Sequence, residues 1–272
     1  MPSSSPSRSF AGAAEVRARK RFGQHFLHDR GAIGRILDAV APRVGERLVE
    51  IGPGRGALTA GLLERAGALD ALEIDRDLAQ TLRERFADRS GLRLHEADAL
   101  EFDFRTLAAL RGGPLRLVGN LPYNISTPLL FHLLTQRTAL IDLHVMLQKE
   151  VVDRIVSRPG GSEYGRLTVM LAPWFDATRL FDIGPGAFAP PPEVWSSMVR
   201  LRVREQPAFE PGPRFAPLVA AAFAQRRKQL RNSLRALLTP AQIEACGIDP
   251  AQRPEELEPA QFAALARAAG ER

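Results

Sequence analysis

The sequence predicts a doubly wound α/β domain, its parallel sheet closed by an antiparallel edge pair, followed by a small all-helical domain. Three observations carry this. Short apolar runs recur at "RLVEIGPG", "LDALEID", "LRLHEADAL", "LRLVGN" and "LHVMLQKE", each ending in small, acidic or amide residues. Amphipathic stretches such as "ALTAGLLERAG" and "RDLAQTLRERFAD" lie between them, and from Arg214 onward only helical patterns remain. Apolar runs too continuous to alternate belong to strands buried on both faces, which means a parallel sheet covered by helices on each side.

In chain order, residues 1–19 are rich in Ser, Ala and Arg with a single acid, Glu15. Without an apolar h-region they are not a secretory signal and read as a disordered basic arm. The α/β domain is expected over 20–205. Its first strand ends in "EIGPGRG", a glycine turn that opens a helix at Ala57. The second ends in "LEIDRD", where Asp75 has the position of a helix N-cap. The third ends in "EADAL". The fourth ends in "GNLPYNIST", with Pro122 stopping the strand and Asn124, Ser126 and Thr127 beginning and capping the next helix. The segment "ATRLFDIGPGAFAPPPEVWSSMVRLRV" reads as two strands around a Gly/Pro loop, an edge pair because Pro190 to Pro192 must sit outside any ladder. Residues 206–213 form a linker. Residues 214–272 form the helical domain, in which "QRRKQLRNSLRAL" places Arg227, Arg231 and Arg235 at i, i+4, i+8 beside a Phe223, Leu230, Leu234 and Leu237 stripe.

Composition narrows the function. With 45% hydrophobic residues the chain can bury a large core, and no apolar run approaches the roughly 18 residues of a membrane span. One cysteine, Cys246, excludes an internal disulfide, and five scattered histidines give no metal-ligand spacing. A soluble, cytoplasmic monomer without metal is expected. The net charge is +6, and the segment Arg200 to Arg235 holds nine basic residues against Glu205 and Glu210. Such a cluster suits a polyanionic partner. Arg226, Arg227, Lys228, Arg231 and Arg235 are the candidate residues for contacting such a partner.

The chemistry concentrates at four successive strand ends. Glycines after the first, Gly52 and Gly54, let backbone approach a ligand, although GxGxG is not the dinucleotide spacing GxGxxG. An acid at the second strand end, about 20 residues on, is where a carboxylate accepts ribose hydroxyls. Glu73 and Asp75 both qualify, and Glu73 is preferred because Asp75 has the cap position. Asp98, at the third, can accept from the exocyclic amine of adenine. Asn120 ends the fourth.

The order "EIGPG", "EID", "AD", "NLPY" resembles the S-adenosylmethionine-dependent methyltransferases. Together "KRFGQHFLHD", "NLPYNISTPLLFHLL", "MLQKEVVDRI", "YGRL" and "FAPPPEV" resemble the ribosomal RNA adenine dimethyltransferases, specifically those acting on small-subunit rRNA, from about Lys20 to the C-terminus. The resemblance implies a class I methyltransferase fold and S-adenosylmethionine as cofactor, with small-subunit rRNA and the immature small ribosomal subunit as partners. It implies dimethylation of two neighbouring adenines in a hairpin loop near the rRNA 3′ end. It also implies that His25 and Leu27 lie against the cofactor, that Gly52 contacts its methionine moiety, Glu73 the ribose and Asp98 the adenine, and that Asn120 stands between cofactor and target base. The chain departs from the family at His25, usually Asn, and at Trp195, usually small or acidic.

Asn-x-Pro-Tyr suits amine methylation. The N6 lone pair of adenine is delocalised, and two acceptors aimed at its N–H bonds favour the tetrahedral, nucleophilic geometry. The Asn120 carbonyl and a backbone carbonyl at Leu121 or Pro122 can supply them, with proline fixing the bend. No strong base is required, because the proton becomes acidic once nitrogen carries the methyl group. Tyr123 offers a face to a flipped-out base, where stacking contributes roughly 1 to 3 kcal/mol, and Phe188 is the candidate for the opposite face.

Overall fold

The computed structural model describes residues 25–225 and 228–270 of the 272. The basic arm, 20–24 of the first motif, Arg226 and Arg227 lie outside the described residues. A short strand β1 (Phe26–Leu27) and helix α1 (Arg30–Val40) precede a regular alternation. This comprises β2 (Leu48–Ile51), α2 (Thr59–Ala66), β3 (Leu69–Glu73), α3 (Arg76–Arg85), β4 (Leu92–Glu96), α4 (Phe104–Leu110), β5 (Leu115–Asn120), α5 (Ser126–Thr135) and β6 (Leu140–Gln148). Helices α6 (Lys149–Val156) and α7 (Arg166–Leu171) lead to β7 (Phe175–Ile183), β8 (Phe188–Ala189) and β9 (Ser196–Val203). The chain continues as α8 (Phe215–Phe223), α9 (Leu230–Ser233), α10 (Pro240–Ala245) and α11 (Pro259–Ala268).

Seven strands form one sheet in the order β4-β3-β2-β5-β6-β9-β7. The first five run parallel, and β9 is antiparallel to both β6 and β7, which makes the expected edge pair. Alternation along buried strands sends successive side chains to opposite faces. Val49, Ile51, Leu117 and Val145 accordingly join the cluster under α4 and α5, whereas Leu48, Val118 and Met146 join the one under α1 and α2. Every residue of β2 and β3 is buried, while the edge strand β4 is only half-buried.

After β2 the chain winds outward through β3 to β4, then crosses back to β5 on the other side of β2. This reversal opens a crevice beyond the carboxyl ends of β2 and β5, where doubly wound sheets bind ligands. Gly119 makes the pairing possible, since a Cβ there would stand 2.5 Å from the Ile51 carbonyl oxygen.

Three local expectations are corrected. Helix α2 begins at Thr59 rather than Ala57, because Gly52, Gly54 and Gly56 all have positive φ and prolong the turn. The N-cap of α5 is Ile125 and not a polar side chain; the Ser126 hydroxyl instead donates to the Tyr123 carbonyl at 3.1 Å. The predicted long basic helix is broken, because α8 stops at Phe223 and α9 starts at Leu230. The Leu230 and Arg231 amides donate to Gln252 and Pro250 carbonyls at 2.9 and 3.0 Å, so tertiary partners redirect the chain. Arg235 lies past the end of α9 and does not share a helix with Arg231, the expectation for Arg227 falling outside the described residues, although Leu230 and Leu234 are buried as the stripe requires.

The C-terminal helices pack around Phe215, Leu218, Leu230, Leu257 and Phe262, a cluster that also takes in Tyr164 and Val169 from beside and within α7. Segment 206–213 is anchored at both ends of its apolar residue. Phe209 meets Phe215 edge-on at 5.9 Å, and the Ala208 amide donates to the Pro173 carbonyl at 2.8 Å.

Candidate active site at the carboxyl edge of the sheet

The turn after β2 and the end of β3 are built as one unit. The Gly54 amide donates to Glu73 Oε2 at 3.1 Å and the Asp75 amide to Glu73 Oε1 at 3.0 Å. Gly54 has φ +56°, and a Cβ there would press on the Phe26 ring at 3.2 Å. A glycine is thus needed both for the conformation and for the approach of β1. Burial raises the Glu73 carboxyl above its ordinary range against the pull of these two amides, and the charge of Asp75 adds to the rise. Asp75 itself caps α3, accepting from the Asp77 amide at 3.1 Å.

Asp98 lies just past β4, where its Oδ1 accepts from the Leu100 amide at 2.8 Å. Asn120, the last residue of β5, donates from Nδ2 to the His25 carbonyl at 3.0 Å. The reverse assignment of this amide would set two oxygens against each other, so Oδ1 is the end left to accept. His25 is held in turn, with Nδ1 2.8 Å from the Pro190 carbonyl. A carbonyl partner requires the proton on Nδ1 and leaves Nε2 as an acceptor in the neutral ring. Strand β1 pairs with β8, Phe26 opposite Ala189 and Leu27 opposite Phe188, and this clasp lays the N-terminal motif across the crevice.

His25, Leu27, Gly52, Gly54, Glu73, Asp98, Asn120, Leu121, Pro122 and Tyr123 all line a single cleft. The Tyr123 ring is 5.5 Å from the His25 ring, and its hydroxyl is 2.8 Å from Ser196 Oγ. Burial raises the Tyr123 phenol, with the Ser196 bond opposing. Phe188 is not in the cleft. At 2% exposure it packs with Leu27, Ile183 and Met198, because pairing with β1 turns it into the core, and this corrects its assignment as an open stacking face. Lys228, Arg231 and Arg235 are exposed on the helical part, away from the cleft lining.

Sequence reasoning passed over several lining residues, Glu50 and Ile74 among them. Glu50, an acid inside a fully buried strand, was visible as an anomaly in "RLVEI". It is 2% exposed, with Oε2 accepting from the Thr59 hydroxyl at 2.6 Å. Burial pushes its pKa from 4.5 up to about 8; Thr59 pulls it down and the charge of Glu73 raises it further. Ile74 is 47% exposed in the same cleft, an apolar surface between two acids that no periodicity announces.

A family profile described as ribosomal RNA adenine dimethylase matches residues 15–270. The ribosomal RNA small subunit methyltransferase A of Nitrosococcus oceani is 54% identical over 254 residues, 92% of this chain and 96% of that protein. Its counterpart from Pseudomonas aeruginosa is 52% identical over 92% of this chain and 94% of its own length. Among solved structures, the 23S rRNA methyltransferase ErmE superposes with a TM-score of 0.69 at 28% identity, over 90% of this chain and 100% of that one. A dimethyladenosine transferase from Plasmodium falciparum shares the fold, with a TM-score of 0.77 at 24% identity over 89% of this chain and 96% of that one.

Proposed function

The chain belongs to the ribosomal RNA adenine dimethylase family, and from that premise we propose that it methylates N6 of two adjacent adenines in a hairpin loop near the 3′ end of small-subunit rRNA. The methyl donor is S-adenosylmethionine, and the substrate particle is the immature small ribosomal subunit in the cytoplasm. The observation that supports this best is the convergence of Gly52, Glu73, Asp98 and Asn120, from four strand ends, on one cleft.

The cleft fits that cofactor. Backbone amides of the glycine turn and of the start of α3 fix the Glu73 carboxylate at the end of β3, where it can accept from ribose hydroxyls, and Asp98 keeps Oδ2 for an exocyclic amine. Ile74 gives an apolar surface for a flat base, while Gly52, with φ +67°, gives backbone access to the methionine end. His25 and Leu27 close the near side. When bound, S-adenosylmethionine supplies an electrophilic methyl group on a sulfonium.

The chain's own residues prepare the nucleophile. Asn120 Oδ1 accepts one N6–H bond of adenine, oriented by the grip of Nδ2 on the His25 carbonyl. The Pro122 carbonyl already accepts from the Ile125 amide at 3.2 Å, whereas among the described residues no hydrogen bond reaches the Leu121 carbonyl. Leu121 is therefore the second acceptor, and Pro122 fixes the bend that aims it. Tyr123, braced by Ser196, supports the base from one side. The rate comes from alignment and preorganised acceptors rather than from a strong base. The helices from 214 onward hold RNA phosphates through Lys228, Arg231 and Arg235, as a unit distinct in task from 20–205.

Incubation with immature small subunits and methyl-labelled cofactor, followed by mass analysis of nucleosides, tests the proposal. Dimethyladenosine at two neighbouring positions is expected. Only methylcytosine, methylation of large-subunit rRNA alone, or no product would overturn it.

A further inference from the structure

We propose that Trp195 is a stacking platform for a nucleotide flanking the target adenine, fixed at the rim of the cleft by the end of the sheet. The inference rests on the adenine-methylating reading above. Trp195 is 54% exposed and follows Val194, which is 44% exposed. Adjoining large apolar side chains in water mark an interaction surface.

Their place decides which one. Because β9 runs antiparallel, its first residue, Ser196, stands at the carboxyl edge, paired with Gln148 of β6 and Ile183 of β7. The Ser196 hydroxyl meets the Tyr123 phenol, so Trp195 is one residue from a group that braces the target base. Strand β9 lies two strands from β5, which ends in Asn120. At ordinary strand spacing that separation is about 10 Å, within reach of RNA leaving the cleft on that side.

The ring is also held. The Trp195 carbonyl accepts from the Lys149 amide at 2.8 Å, and a Cβ on Gly184 would lie 3.6–3.8 Å from three carbons of its six-membered ring. The indole is backed by the end of β7 and open to solvent beyond it. Trp174, by contrast, already carries the Arg137 guanidinium 3.6 Å from its ring centroid. A flat, rigid, open aromatic beside a base-accepting cleft fits a nucleobase, which stacks whatever its identity.

The test uses the full chain with immature small subunits. Trp195→Ala is expected to raise KM for the particle roughly tenfold, within the range of base–aromatic stacking. Cofactor affinity and kcat should stay within about twofold, and Trp195→Phe should recover most of the loss. Ultraviolet irradiation should yield a nucleotide adduct on the Trp195 peptide. An unchanged KM in a chain that still makes dimethyladenosine overturns this inference alone, as does an adduct to a ribosomal protein instead of a nucleotide. Absence of methyl transfer by the unsubstituted chain overturns the functional reading and this inference with it.

Discussion

Asn120→Ala removes both ends of an amide that grips the His25 carbonyl with Nδ2 and presents Oδ1 to the cleft. Loss of a preordered acceptor at the reacting atom costs about 10²–10³ in kcat. Calorimetry should find S-adenosylmethionine still bound, because the proposed ribose and adenine contacts, Glu73 and Asp98, stand at the ends of other strands; near-normal turnover would remove Asn120 from the reaction. Glu50 makes a prediction with a sign. Its folded carboxyl ionises near 8 and its unfolded one near 4.5, so between those values the folded chain binds the extra proton. Stability from this group is complete below about pH 4.5 and is lost as pH rises through about 8. Glu50→Gln keeps an acceptor for Thr59 without ionising, and its thermal midpoint relative to the unsubstituted chain should be higher at about pH 9 than at about pH 5. A constant difference across that range would refute the assignment. Glu73, Asp98 and Asn120 could be located from sequence because strand ends are fixed by local pattern. Phe188 could not be placed this way, since the pairing that buries it is with Leu27, far away in the chain.

At the scale of elements, the parallel strands were legible as continuous apolar runs and the edge pair from its proline loop. The helix carrying the basic cluster was misread. Its heptad-like spacing is real, but the Gln252 and Pro250 carbonyls compete for the amides of Leu230 and Arg231, and no local propensity reports that competition. The consequence for RNA binding is a distributed set of cations in place of a helical stripe. Lys228, Arg231 and Arg235 are all exposed. If each meets one phosphate, replacing all three with Gln should reduce the slope of log affinity against log salt by about 2 to 3. Binding of immature subunits measured across a salt series checks this, and an unchanged slope would assign these cations to solvent. Methyl transfer at saturating substrate should persist, because none of the three lines the cleft.

For the molecule as a whole, the question is whether the helical tail folds with the sheet or beside it. The boundary near 214 was read from composition, where a Pro/Gly segment separates two patterns. The apolar packing does not stop there, because Tyr164, 1% exposed, sits inside the tail's core and donates its hydroxyl to the Leu257 carbonyl at 2.7 Å. The Gly160 amide reaches the Glu255 carbonyl at 2.7 Å from the same stretch. Burial holds the Tyr164 phenol far above its ordinary range, so the neutral, donating form persists at any working pH. A shared core makes the two parts unfold together, and Tyr164→Ala should uncouple them. Truncating so large a buried aromatic costs about 3 to 5 kcal/mol, concentrated at the junction. Calorimetry of the unsubstituted chain should then show one transition, and the variant two, the lower belonging to the helices. Tyr164→Phe, which keeps the ring and loses only the hydrogen bond, should lower stability by about 1 kcal/mol without splitting the transition. The uncoupled variant should still bind S-adenosylmethionine while losing affinity for the ribosomal particle, because the cleft and the cations then no longer hold a fixed geometry. One unsplit transition with unaltered particle binding would mean the junction carries no such coupling.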